Sequence, residues 1–383
     1  MGLKNSGGYN PVATGSRSIG KLIESFRGRD AVGAIRVNTE VRTNKDNPSP
    51  AAFDVSGGTE ITSGDYKYHV FTSTGSLTLT MNPTGLLSPL NPDNAGNFDY
   101  LVVAGGGGGG AIRADGNGGR GGGGAGGVRS NDPNYPRATP DTALTAPATA
   151  APYTYTVTVG SGGAAANLPS GPPPTHGDNG GNSSIIGPDH PGSGGAGGVV
   201  ATGGGGGTVL PNQASGEGGS GGGGAYGNLV DGTSVSSPDG LTPTAQGYEG
   251  NVGQGAGGGG GGAGGTSNPL SNNGGNGQAF PEYPGPVLAP GVPTGPTWGP
   301  LVGTPGTLAG GGAGGGGYSS STGGGGGDGG GGSGSDYSSN NSPGEAGVDY
   351  TGSGGGGGSG PSTGNFNAGD GGNGIVIVRY KYQ

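Results

Sequence analysis

The sequence predicts a mainly β protein. A small β-sandwich carries inserted glycine-rich excursions packed as a lattice of polyglycine II helices, and a short N-terminal helix-plus-strand anchor precedes it. Three observations predict this. Glycine supplies 108 and proline 31 of 383 residues, while hydrophobic residues make up only 27%. The apolar residues gather into a few strand-like runs. Those runs stand on both sides of the glycine-rich mass, so the chain leaves a β framework and returns to it.

Residues 1–15 read as a flexible arm. From Ser18 the pattern is helical: Ile19, Leu22, Ile23 and Phe26 recur at i, i+3, i+4 and i+7, with Ser18 as cap and Gly28 as stop. In "AIRVNTEVRT", residues 34–43, Ile35, Val37 and Val41 alternate with Arg36, Asn38 and Arg42, the period of a half-buried strand. One helix and one strand, in about 45 residues, are too few to fold alone. Residues 1–50 therefore read as an assembly anchor ending in the linker "NKDNPSP", and 51–383 as the glycine-rich domain.

In that domain "YKYHVF" predicts a strand near 66–72, followed by a turn at Gly75 and a second strand in which Leu77 and Leu79 alternate with Thr. "FDYLVVA", residues 98–104, is a third, and "YTYTVTV", residues 153–159, alternates throughout. The last, "GIVIVRYKY" at 374–382, is almost continuously apolar in its first half, as expected of a central strand buried on both faces.

Glycine runs fill 105–110, 121–124, 203–207, 221–224, 257–262, 314–317, 323–327, 329–332 and 354–358. Collagen needs glycine at every third position, so these runs exclude it. Two readings compete. Free glycine is the most flexible linker residue. Alternatively, extended three-residue-per-turn helices lie side by side and satisfy one another's outward-pointing N–H and C=O groups, an approach that only a residue without Cβ permits. Ordering costs about 1–2 kcal/mol per residue against about 1 kcal/mol net per hydrogen bond, so the lattice needs a template. Residues 98–104 would launch and register the first glycine helix, and 375–380 would close the sheet. The pairs Ile185–Ile186 and Val199–Val200, beside glycine runs, are expected to cover the lattice faces.

Charge narrows the function. Residues 1–67 hold nine Lys and Arg against seven acids, whereas the 241 residues between Arg137 and Arg379 hold thirteen acids and no Lys or Arg. Such a surface cannot neutralise phosphates, so no nucleic-acid partner is expected. Cysteine is absent, which removes disulfides and thiolate metal sites. No apolar run reaches the length of a membrane span or forms a secretory leader, so neither membrane insertion nor a signal peptide is expected.

Motif matches carry no chemistry. "MGLKNS" fits an N-myristoylation pattern but reads as an ordinary start. G-x-S-x-G at Ser220 and several G-x-G-x-x-G matches arise by chance in glycine-dominated sequence. His176 with Asp178 and Asp189 with His190 sit in loops, and "GGGGGDGG" at Asp328 lacks the tandem copies of a calcium repeat. No catalytic, cofactor or metal site is expected. Phe280, Tyr283, Trp298, Tyr318 and Tyr337 lie in polar or Pro/Gly-rich connectors and are the candidate surface-recognition residues. Alternatively, their rings cap the lattice and pack on its sides.

"YHVFTSTGSLTLT", "FDYLVVAGGGGGG", "GGNSSIIG", "TGGGGG" and the terminal "GGNGIVIVRYKY" resemble the glycine-rich domain of many bacteriophage virion proteins, tail fibres and appendages among them, with cyanophage sequences prominent. The resemblance covers about residues 53–383 and rests on the edge motifs. It implies a polyglycine II lattice like that of phage tail-tip adhesins and of one disulfide-bearing receptor tyrosine kinase ectodomain. The absence of cysteine sets this chain apart from the latter.

The expected function is a non-enzymatic virion structural protein, a tail fibre or appendage component displaying an adhesive domain toward a host glycan or protein. Other virion proteins would bind through residues 1–50, and a homo-oligomer, with a trimer favoured, is expected from the undersized anchor. The alternatives are a head-decorating or neck protein with a protective role, and a self-assembling extracellular filament.

Overall fold

In the computed structural model, the described residues are 53–81, 97–111, 118–132, 135, 144–145, 152–166, 176–187, 198–210, 213–227, 233, 246–266, 271–317, 322–337, 343–360 and 367–382. The anchor expected within residues 1–50, with Ile19, Leu22, Ile23, Phe26, Ile35, Val37 and Val41, lies outside them.

Thirteen strands are described: β1 (Phe53–Ser56), β2 (Thr59–Ser63), β3 (Tyr66–Phe71), β4 (Gly75–Met81), β5 (Asn97–Val103), β6 (Gly118–Gly119), β7 (Val128–Ser130), β8 (Leu144–Thr145), β9 (Tyr153–Thr158), β10 (Ser183–Ile186), β11 (Gly198–Ala201), β12 (Ser359–Gly360) and β13 (Ile375–Lys381). All pairings are antiparallel. One sheet runs β1-β4-β9-β10-β11, a second runs β2-β3-β13-β5-β7 with β8 on the end of β5, and β6 pairs β12.

The two large sheets enclose the sandwich core. Phe98, Tyr100, Val102 and Ala104 of β5 and its extension point into it, as do Val376, Val378 and Tyr380 of β13 and Leu77, Leu79, Tyr155, Val157, Ile185 and Val199 of the facing sheet. The intervening Leu101, Val103, Ile375 and Ile377 point the other way, into a second core. That double burial explains why β5 and β13 read as continuous apolar runs rather than alternating ones. β13 lies between β3 and β5, the central place its sequence predicts.

The chain changes sheets between β1 and β2 at Gly57 (φ +112°) and Gly58 (φ +62°). A Cβ on Gly57 would meet the Ser76 carbonyl oxygen at 2.0 Å, so glycine is obligatory at this crossing.

The second core is roofed by helix α1 (Gly285–Leu288), a 3-10 turn at Ala289–Gly291 and helix α2 (Gly295–Val302). Each helix has proline in its first turn, where the missing N–H costs nothing. Gly285 and Gly299 let the two helices touch: a Cβ on Gly285 would lie 2.6 Å from the Gly299 oxygen.

Two expectations need correction. Ser183–Ile186 and Gly198–Ala201 are paired strands, and Ile185 and Val199 fill the sandwich core instead of covering lattice faces. Residues 281–302, expected as connector, hold both helices.

Candidate functional site

Each strand ladder runs into glycine without a break. The register that matches Val103 with Val128 in β5–β7 goes on to match Gly107 with Gly124 and Gly110 with Gly121. Likewise, Ile375 pairs with Val103, and the next bonds in the same register join Gly106 to Gly372 and Gly109 to Gly369. The β9–β10 and β10–β11 ladders extend in the same way, through Gly181–Ser161 and Gly180–Gly204. The sheets thus fix the register of the glycine segments, so ordering them begins from an existing ladder.

Inside the glycine body the hydrogen bonds recur every third residue. Gly105 and Gly108 donate to Gly181 and Asp178, Gly106 and Gly109 to Gly372 and Gly369, and Gly107 and Gly110 to Gly124 and Gly121, all at 2.9–3.0 Å. The carbonyls of the same six residues accept from Gly204, Gly163, Gly355, Gly207, Ala166 and Gly358 at 2.8–3.0 Å. The helix at 105–110 therefore has six neighbours, three antiparallel and three parallel, with three residues per turn. None of its glycines has a positive φ, and every one of these bonds leaves the helix, which is the left-handed polyproline II conformation and not a right-handed 3-10 helix. The helices at 120–127 and 310–316 likewise have six hydrogen-bonded neighbours each.

Close approach dictates composition. A Cβ at any of Gly105–Gly110 would fall 1.9–2.2 Å from a neighbouring carbonyl oxygen. In the rim segments 160–166 and 369–372 only every third residue is fully buried. Gly160, Gly163 and Ala166 are buried while Ser161 and Ala164 are exposed, and Gly369 and Gly372 are buried beside exposed Asp370. Glycine or alanine at every third position is thus the sequence signature of these two segments, distinct from the uninterrupted runs.

The candidate recognition residues are corrected by burial. Phe280, Tyr283 and Trp298 are 0–1% exposed in the second core. The Trp298 indole N–H donates to the Tyr350 carbonyl at 3.1 Å, which satisfies its one polar atom. These rings anchor the helical roof to the six-stranded sheet and offer no surface. Tyr337 is half-buried, and Tyr318 lies outside the described residues.

Beside them Arg379 donates to Asp99 through Nε (3.2 Å) and Nη2 (2.7 Å) and to the Glu282 carbonyl at 3.4 Å. Its guanidinium lies 4.6 Å from the Tyr66 ring centroid. Burial pushes the Tyr283 phenol well above its usual range. Burial, then a hydrogen bond with Asp132, raises the Glu282 carboxyl. The cluster pins the roof to the sheet's end.

His69 is buried, stacked on Tyr380 with its Nδ1 2.7 Å from the Gly57 carbonyl. His176 Nδ1 lies 2.6 Å from the Gly177 carbonyl, while Asp189 and His190 lie outside the described residues. Among the described residues, no group of three or more His, Asp or Glu is placed to hold a metal. Ser220 is a lattice member: its N–H donates to the Ala125 carbonyl at 3.0 Å, and its carbonyl accepts from Gly205. A surface depression of about 590 Å³ beside the lattice is lined by His176, Asn179, Thr202, Gln213, Ala214, Ser215, Gly216 and Glu217. No described helix is long and apolar enough to cross a membrane.

A family described as a glycine-rich domain matches residues 84–381. No curated protein sequence matches the chain.

Proposed function

The chain belongs to the glycine-rich domain family, and from that premise we propose that it is a non-catalytic structural protein whose lattice is a rigid mount for display, carried on a phage virion as part of a tail fibre or appendage. One observation carries the reading. The strand ladders run into the glycine lattice in unbroken register, so lattice and sandwich form one hydrogen-bonded body.

A stiff body is what an exposed appendage needs: connectors held at fixed points on a scaffold that does not yield. The long stretch without Lys or Arg also leaves a trypsin-like protease no site between Arg137 and Arg379. With Phe280, Tyr283 and Trp298 sealed in the core, contact with a host glycan or protein falls to the polar connectors, with Tyr318 and Tyr337 the remaining aromatic candidates. Residues 1–50 would join the chain to other virion proteins, as a trimer if the carrier is a fibre.

The test is immunogold electron microscopy of intact particles with antibody against residues 138–373. Gold at tail or fibre tips supports the proposal. Gold over the head or collar would replace it with a decorating role, and particles without label would remove the virion assignment.

A further inference from the structure

A lattice held by backbone hydrogen bonds has no intrinsic edge. Each helix has three rows of N–H donors, one toward each of three neighbours, and a rim helix has a row left over. In the helix at 202–208, Gly204 and Gly207 donate to Gly105 and Gly108, while Gly205 and Thr208 donate to Ser220 and Gly223. The third row, Gly203 and Gly206, donates to side chains: Asn182 Oδ1 and Asn179 Oδ1, both at 2.9 Å.

The same arrangement recurs elsewhere on the rim. Gly162 and Ala165 donate to Asn373 Oδ1 (2.9 Å) and Asp370 Oδ1 (2.7 Å). Gly323 donates to Asp336 Oδ1 at 2.7 Å. Asn179, Asn182 and Asp370 are exposed, and Asn373 and Asp336 are half-buried, so all five stand at the boundary with solvent. In the antiparallel pairs the spacing follows the helix. Two caps three residues apart, Asn179 and Asn182 or Asp370 and Asn373, serve two donors three residues apart on the adjacent helix. Each oxygen takes an N–H that, in the interior, goes to the carbonyl of a further polyglycine helix.

We propose that these rim grooves are latent association surfaces for a glycine-rich segment of a second copy of this chain, and that the Asn and Asp side chains hold them shut. The caps do for the lattice what charged residues and bulges do for an exposed β-strand edge. A groove without its cap presents a row of N–H donors spaced for the next helix, and nothing in that geometry closes, so association would continue from copy to copy. The inference concerns the lattice alone and stands whether or not the chain belongs to a virion.

The experiment compares the full chain with Asn179→Ala/Asn182→Ala and with Asp370→Ala/Asn373→Ala, using light scattering behind size exclusion over a range of concentrations. The uncapped variants should show an average mass that rises with concentration to about twofold or more above the parent. The parent should keep a fixed mass. Asp370→Asn with Asp336→Asn removes charge but keeps both acceptor oxygens, and should behave like the parent. Amide exchange at Gly105–Gly110 establishes that each variant retains the lattice. Folded alanine variants that stay at the parent's mass would overturn the proposal, and so would association of the Asn variant equal to theirs. If either double variant fails to fold, Asp336→Ala, which uncaps the half-exposed Gly323 alone, is the deciding comparison: added association supports the proposal, and an unchanged mass refutes it.

Discussion

Gly107→Ala puts the lattice under a defined load. The new methyl would sit 2.2 Å from the Gly205 oxygen and 2.5 Å from its carbonyl carbon. That is roughly 1 Å short of van der Waals contact, and the neighbour is backbone, which cannot rotate away. The helix at 203–207 must move out. The bonds that tie it to 105–110, from Gly204 to Gly105 at 2.8 Å and from Gly207 to Gly108 at 2.9 Å, then stretch or break. Each costs about 1 kcal/mol net, with about 1–3 kcal/mol more for a buried group left unpaired. Alanine's smaller unfolded-state entropy gives back about 0.4–1 kcal/mol. The expected loss is up to about 3–8 kcal/mol if both bonds break, a large part of the ~5–15 kcal/mol that holds a domain folded. Gly265→Ala is the control, because a Cβ there meets nothing within 4 Å. Denaturant unfolding followed by the single tryptophan, Trp298, supplies the measurement. Loss of stability in Gly107→Ala no greater than in Gly265→Ala would refute the close-packed lattice.

Other outcomes follow from the same geometry. Trp298 emission should be blue-shifted and resist acrylamide quenching in the native chain, and Trp298→Phe should cost about 1–3 kcal/mol by leaving the Tyr350 carbonyl unpaired and the core underfilled. Ile377→Ala, in the middle of the central strand, should cost about 2–5 kcal/mol by thermal or denaturant unfolding. Glu282 has its folded-state carboxyl raised by burial and by Asp132, with Arg379 opposing. The folded chain therefore holds that proton more tightly than the unfolded one, and stability falls as pH rises from the usual carboxylate range through the raised value. Glu282→Gln should remove this component, so its stability advantage over the parent should grow across that window. An advantage independent of pH would contradict the assignment.

The framework strands were legible because their chemistry is local: β3, β5, β9 and β13 alternate or run apolar where the sequence places them. The launch from Phe98–Ala104 into glycine was readable too, since an apolar strand abutting six glycines has few other uses. The helical roof was not. "GPVL" and "GPTWGPLV" carry proline and glycine that normally mark connectors, and they become helical because Leu288, Trp298 and Val302 gain burial against the sheet. The same burial misplaced the recognition residues, because an aromatic in a Pro/Gly-rich stretch looks exposed until a core is found beneath it. Ile185 and Val199 do not read as strand residues in the sequence, since each has only one apolar neighbour. The caps escaped because Asn179 and Asp370 look like turn residues, and only the lattice shows that their spacing of three matches a row of donors.

The most direct test of the lattice is amide hydrogen exchange with selective ¹⁵N-glycine labelling, read at Gly105–Gly110. Every one of those N–H groups is bonded to a neighbouring segment of the same chain at 2.9–3.0 Å. All six should exchange as slowly as the amides of β13, and together, because a register fixed by the sheet opens only when the sheet does. Exchange at the rate of a free glycine peptide in any phase of the three-residue repeat would contradict the six-neighbour lattice.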